Sequence, residues 1–236
     1  YQVADIVSKF IALALLPVYT RHLTRADYGT AEVLLTVVIL VSIVVRLGIG
    51  EAFVRLHFAD ADPARRREIA RTATAFVLAT TTLAAGAALL LAAPLSDLVL
   101  GRNDSGVMRI AALGIWAFTN LELAYALLRV DERARAYLTA SLCNVALTVG
   151  LTVWLVVVED EGARGLLGGN FAASAIVLLG LWWVLRDRLG LVPAGPQLPA
   201  MLRFGLPTVP AEVSVFALNF IDRLYLYRSE SEAAAS

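Results

Sequence analysis

Arg46 follows thirteen uncharged residues, Val33 to Val45, and Glu51 and Arg55 come soon after it. A guanidinium inside an apolar helix is unfavourable by about 2.5–3.5 kcal/mol on insertion scales, so something must offset it. Two arrangements would. A carboxylate can pair with it, and Glu51 is the nearest in sequence. Alternatively, Arg46 lines a polar cavity, where its fixed fork of donors binds phosphate in two places and stays charged. Other apolar runs carry charges of the same kind. Asp5 and Lys9, at i and i+4, share a helix face and can pair, either as structure or as part of a site. Glu122, flanked by Asn120 and Tyr125, has either a structural or a functional role. Asp222 and Arg223 point about 100° apart on a helix. They either snorkel at an interface with Tyr225 and Tyr227 or face a cavity. Cations on several separate spans suit an anionic head group whose lipid tail stays in the bilayer.

Other chemistries have no comparable support. His22 and His57 are far apart and make no metal motif, and no cofactor is expected. Cys143 is the single cysteine, so no intrachain disulfide can form. There is no nucleophile elbow, phosphate-binding glycine loop or zinc spacing. The expectation is a non-enzyme. Twenty basic residues balance twenty acidic ones, so net charge gives no argument for nucleic acid.

The elements that must position these charges are membrane helices. Thr72–Ser96, Tyr137–Val158 and Gly165–Leu185 hold no charge at all, and each is long enough to cross a bilayer. Hydrophobic residues make up 59% of the chain and charged ones only 17%, well under the quarter usual in soluble domains. Backbone polar groups in lipid must be satisfied within the segment, which selects helices. The reading is all-α: a polytopic bundle of about seven spans, 3–20, 32–54, 72–95, 107–129, 137–158, 165–185 and 204–227. Pro207 and Pro210 should bend the last one near its start. The three uncharged spans are expected to face lipid or neighbouring helices. The first, second, fourth and seventh are expected to face a cavity.

Arginines set the orientation. Loops 55–71, 129–136 and 186–203 carry eleven, and the alternate loops carry four: Arg21, Arg25, Arg102 and Arg164. The positive-inside rule puts the richer set, and the N-terminus, in the cytoplasm and the tail after Tyr227 outside. The run Arg65-Arg66-Arg67 is a topology determinant or an anionic-lipid contact. The chain begins at Tyr1 without a recognisable signal peptide, and its N-terminus reads as incomplete.

Several stretches resemble the Wzx-type oligosaccharide flippases, the polysaccharide biosynthesis proteins of the MOP exporter superfamily. Thr20-Arg21-His22-Leu23-Thr24-Arg25-Ala26-Asp27-Tyr28-Gly29 is similar to that family's TR-x-L-T-x-x-D-Y-G turn. Arg46-Leu47-Gly48 with Glu51-Ala52-Phe53-Val54-Arg55 is similar to its second-helix end. Phe204-Gly205-Leu206-Pro207 with Pro210-Ala211, and Asn219-Phe220-Ile221-Asp222-Arg223, are similar to FGLP…PA and N-x-x-DR.

The resemblance implies two six-helix lobes around a central cavity. It implies a chain made of a MOP/MATE-like first lobe (1–185), a cytoplasmic linker loop (186–203) and the first helix and tail of an incomplete second lobe (204–236). It also implies movement of an undecaprenyl-diphosphate-linked glycan across the bacterial inner membrane for surface polysaccharide such as lipopolysaccharide. Cavity cations then map to Arg46 and Arg223, with Arg55 and Lys9 behind them. Asp5, Glu51, Glu122 and Asp222 become the possible ion-coupling groups. Partners would be the lipid-linked glycan, membrane lipids, and the glycosyltransferases and polymerase of an assembly system. The alternatives are a drug or cation antiporter of the same superfamily, or a non-transporting scaffold, polymerase or ligase.

Overall fold

The computed structural model describes residues 21–190 and 196–218, and every regular element among them is a helix. Helix α1, Arg25–Arg46, opens with a capping box: the Asp27 amide donates to the Thr24 hydroxyl, and the Thr24 amide donates to the Asp27 carboxylate. This cap starts the helix seven residues before the expected span. It also gives the Thr24…Asp27 part of the quoted turn a structural reason. The expected helix over 32–54 is not continuous. Leu47 and Gly48 both take left-handed backbone angles, φ 51° and 67°, and a separate helix, α2, Ile49–Ala59, starts after them. Left-handed residues cannot continue a right-handed helix.

Helix α3, Pro63–Leu90, starts with Asp62 as its cap and proline at its first turn, where a missing amide does no harm. Arg65, Arg66, Arg67 and Arg71 therefore ride on a helix, not on the loop expected over 55–71. Helices α4 (Ala92–Leu100), α5 (Ser105–Val130) and α6 (Ala134–Val153) follow. Helix α6 ends in a π-helical turn, Trp154–Val158, before α7, Gly162–Val184. A short 3₁₀ turn, Arg186–Arg188, closes this part. The linker expected at 186–203 is helical in its second half, because α8 spans Leu198–Gly205. Leu206 and Pro207 then break the chain, and α9, Thr208–Leu218, departs at 41°. The expected bend is there.

Five of these helices are long and apolar enough to cross a membrane, and the bent α8–α9 pair makes a sixth. They correspond to the second through seventh expected spans. The first, 3–20, lies outside the described residues, as does the end of the seventh.

Burial sorts them. The α6 segment is only 11% buried, as a lipid-facing scaffold helix should be, and α7 is 56% buried. Helix α5, expected at a cavity, is instead the centre of the bundle at 72% buried. Its Asn120 is satisfied internally, donating to the Thr81 hydroxyl at 2.9 Å and to the Trp116 carbonyl at 2.8 Å. Small residues let its neighbours close in, as is usual between membrane helices. A Cβ on Gly114 would sit 2.5 Å from the Phe171 ring, and one on Gly169 would sit 2.6 Å from the Thr152 amide nitrogen.

The turns gather at two ends in the alternation read from the arginines. His57, Arg66, Asp131 and Arg188 meet at one end. Asp27, Arg102, Asp104, Asp160 and Arg164 meet at the other. There Asp104 caps α5, accepting from the Val107 amide, and takes a 2.9 Å salt bridge from Arg164 of α7. Burial pushes its carboxyl up, but the Arg164 and Val107 hydrogen bonds and the charges of Arg164 and Arg102 outweigh it. The net position is below the usual carboxylate range, so this stabilisation is present at neutral pH and fades as acid protonates Asp104, below about pH 4. Asp104→Ala removes cap and bridge together and is expected to destabilise the protein by about 1–2 kcal/mol. Thermal unfolding in detergent at pH 7 reads this directly. An unchanged midpoint there would count against it.

Candidate functional site

The two breaks in the long spans meet. Gly48, in the α1–α2 break, lies against Gly205, at the end of α8. A Cβ on Gly205 would come within 2.6 Å of the Gly48 carbonyl oxygen, and one on Gly48 would fall on the Gly205 carbonyl. Thr208 tightens the far side, its hydroxyl donating to the Gly205 carbonyl at 2.7 Å. Backbone against backbone at this spacing admits glycine only.

Just beyond this crossing, Arg46 reaches Glu212 of α9. The guanidinium Nη2 donates to the Glu212 carboxylate Oε2 at 3.2 Å, and the side chains are 19% and 22% exposed. The contact is single, not the two-point fork that arginine can make. Arg46 Nε and Glu212 Oε1 are buried without a hydrogen-bond partner among the described residues. The Glu212 carboxyl also meets that of Glu51, which is exposed. The cluster is thus two carboxyls around one guanidinium that uses part of its donor capacity. An anion could recruit the unused donors of Arg46 by displacing Glu212. A proton or small cation could sit between the carboxyls.

The residues singled out from the sequence divide three ways. Arg46 and Glu51 come together, but through Glu212; their direct ion pair does not form. The break at Leu47-Gly48 removes the shared helix face that such a pair needs. Arg55 lies with its guanidinium carbon 4.3 Å from the centre of the Phe204 ring, a cation–π contact tying α2 to α8. Glu122 is half-buried on the central α5, one turn from Tyr125. Asp5, Lys9, Asp222 and Arg223 lie outside the described residues. Glu212 is the residue the sequence reading passed over as a site member. Its signal was there: a carboxylate in an apolar helix just after Pro207 and Pro210, the same reason that drew attention to Glu51.

Three comparisons with known proteins bear on this geometry. A family model described as "Polysaccharide biosynthesis protein" matches residues 18–231. No curated protein matches. Among solved structures, a crystal structure of a MATE point mutant superposes with a TM-score of 0.68 at 15% sequence identity. The superposition covers 92% of this chain and 52% of that one, so this chain spans about half of its length. At that identity the likeness concerns the fold.

Proposed function

The chain belongs to the polysaccharide biosynthesis protein family, and we propose that it moves a lipid-linked oligosaccharide from one leaflet of a membrane to the other. The observation that carries this reading is Arg46, a partly buried guanidinium with unused donors, held by a single contact beside a backbone crossing of two broken spans. A diphosphate linkage offers the paired oxygens that an arginine fork binds best. The breaks give the helices on either side of the cluster freedom to change angle as the site opens to one leaflet and then the other.

On this reading the substrate is undecaprenyl-diphosphate-linked, the membrane is the bacterial inner membrane, and the arginine-rich end faces the cytoplasm. Residues 1–185 form a first lobe, and the α8–α9 span opens a second. Arg223, Arg55 and Lys9 add cations to the cavity, and glycosyltransferases and a polymerase deliver and consume the glycan. Glu51 and Glu212 then serve as the ion-coupling pair. Their contact also favours a second reading, a cation-coupled antiporter of the same architecture.

The experiment is reconstitution of the full-length protein in vesicles loaded with a fluorescent polyprenyl-diphosphate sugar. The expected result is label crossing to the outer leaflet faster than in protein-free vesicles. Equal rates, with proton- or sodium-driven efflux of a small organic cation instead, would favour the antiporter and sink the flippase.

A further inference from the structure

The arginine-rich end holds a second basic site that shares no residue with the Arg46 cluster. A cavity of about 680 Å³ lies between the first turns of α3, the α5–α6 turn and the end of α7. Its size is that of ordinary small-molecule sites. Arg67, Arg71 and Arg133 line it, and none of the three is in an ion pair among the described residues. Arg188 lines it too and is fixed by a 2.9 Å bridge to Asp131, which removes that carboxylate as a competitor for the other arginines. Asp187 is the remaining acid at this rim.

A second chamber of about 410 Å³ shares Arg67, Asp131 and Arg188 with the first and adds Arg66 and His57, with Glu132 at its edge. His57 is 5% exposed, and its Nδ1 has no hydrogen-bond partner among the described residues. Phe53 and Phe58 hold its ring edge-on. Burial first, then the Arg66 and Arg188 charges against that of Asp131, keep the imidazole below its ordinary value. A buried polar atom without a partner is uncommon unless something occupies the site.

A third, smaller space adjoins these. Leu185 lines both the large cavity and an apolar pocket of about 110 Å³ walled by Leu78, Leu123, Leu127 and Trp182. Charge and grease therefore meet at one leucine.

We propose that this end of the bundle is a binding site for a phosphate-bearing group, with Arg67, Arg71 and Arg133 as its mobile donors and Arg188 as its fixed one. Unpaired arginines converging on one cavity are the chemistry that captures phosphate oxygens. The apolar pocket beside them suits the first carbons of an acyl chain. The same donors would also hold a free phosphate.

The test uses the full-length protein in uncharged detergent, with dioctanoyl-phosphatidylglycerol and inorganic phosphate as separate probes and the rise in unfolding temperature as readout. Arg67→Gln/Arg71→Gln is the working variant. Both side chains are exposed, so the core is left alone. Arg65→Gln is the control, on the same helix but engaged with Asp60 and Asp62 away from the cavity. The expected result is saturable stabilisation whose half-saturation concentration rises at least tenfold in the double variant and stays unchanged in the control. Stabilisation by the lipid alone identifies a membrane headgroup. Equal stabilisation by phosphate identifies a soluble source. An equal shift in both variants would overturn the site in favour of diffuse charge attraction, and so would failure of both probes to saturate.

Discussion

Replacing Gly48 with alanine is expected to destabilise the protein by at least about 2 kcal/mol and to abolish function at growth temperature. Two separate penalties add at this position. The left-handed backbone, φ 67°, disfavours any residue with a Cβ by roughly 1–2 kcal/mol. The new methyl would also fall on the Gly205 carbonyl, which is backbone and cannot rotate away. Helix α8 must then lift off α2, breaking the Arg55–Phe204 contact and drawing Glu212 from Arg46. Gly205→Ala should do the same from the other side. Gly86→Ala is the matched control: that glycine sits within α3 with open space around its Cβ position, so alanine there is neutral or stabilising by up to about 1 kcal/mol. Unfolding midpoints in detergent separate the cases. Gly48→Ala behaving like Gly86→Ala would remove the crossing as a structural requirement.

The second large effect concerns Arg46. Arg46→Ala leaves the Glu51 and Glu212 carboxyls facing each other without their cation, and Glu212→Ala leaves a guanidinium unpaired in an apolar helix. Each is expected to lower stability, by about 1–3 kcal/mol, less than for a fully buried pair because both groups are about one-fifth exposed. On the proposed flippase reading, export of glycan should fall at least tenfold in both. The informative variant is the double one, Arg46→Leu with Glu212→Leu. Removing both partners spares the protein an orphaned charge, so stability returns toward the parent value. If Arg46 grips substrate, export stays lost in this stable protein. Export that recovers with stability would reduce the pair to a strut between α1 and α9. Arg46→Lys keeps the charge but not the planar fork, and should also transport poorly.

Hydropathy made the spans legible because lipid exposure demands long apolar runs, and six of the seven expected segments recur as helices. Where those helices begin was less legible. Thr24 with Asp27 and Asp62 with Pro63 start α1 and α3 outside the apolar runs, through hydrogen bonds to free amides that a hydropathy window does not register. The α1–α2 break was hidden for another reason. Leu47 carries no mark of its left-handed angle, which goes with a backbone crossing that hydropathy does not register: a Cβ on Gly205 of α8 would lie 2.7 Å from the Leu47 carbonyl oxygen. Charges inside spans drew attention to Arg46 and Glu51, yet the group that contacts both, Glu212, comes from far along the chain, and nearness in sequence suggested a direct pair that does not form. Helix α5 misled in the opposite direction: its charge suggested a cavity-facing helix, but it lies at the bundle centre, where Thr81 and the Trp116 carbonyl satisfy Asn120. The grouping of turns at two ends was readable, since arginine counts alternate from loop to loop.

The Arg46–Glu212 contact joins residues 166 positions apart. At typical synthesis rates of about 5–20 residues per second, on the order of ten seconds or more separates their emergence from the ribosome. Throughout that interval Arg46, the last residue of α1, has no Glu212 to meet. The left-handed Leu47-Gly48 step ends the helix directly after Arg46, so the charged end can wait at the membrane surface while the apolar Val33–Val45 stretch is already in lipid. The last described helix to be made is therefore the one that completes the cluster. Until Glu212 has been made, Arg46 lacks that carboxylate, and α9 is the helix that brings it.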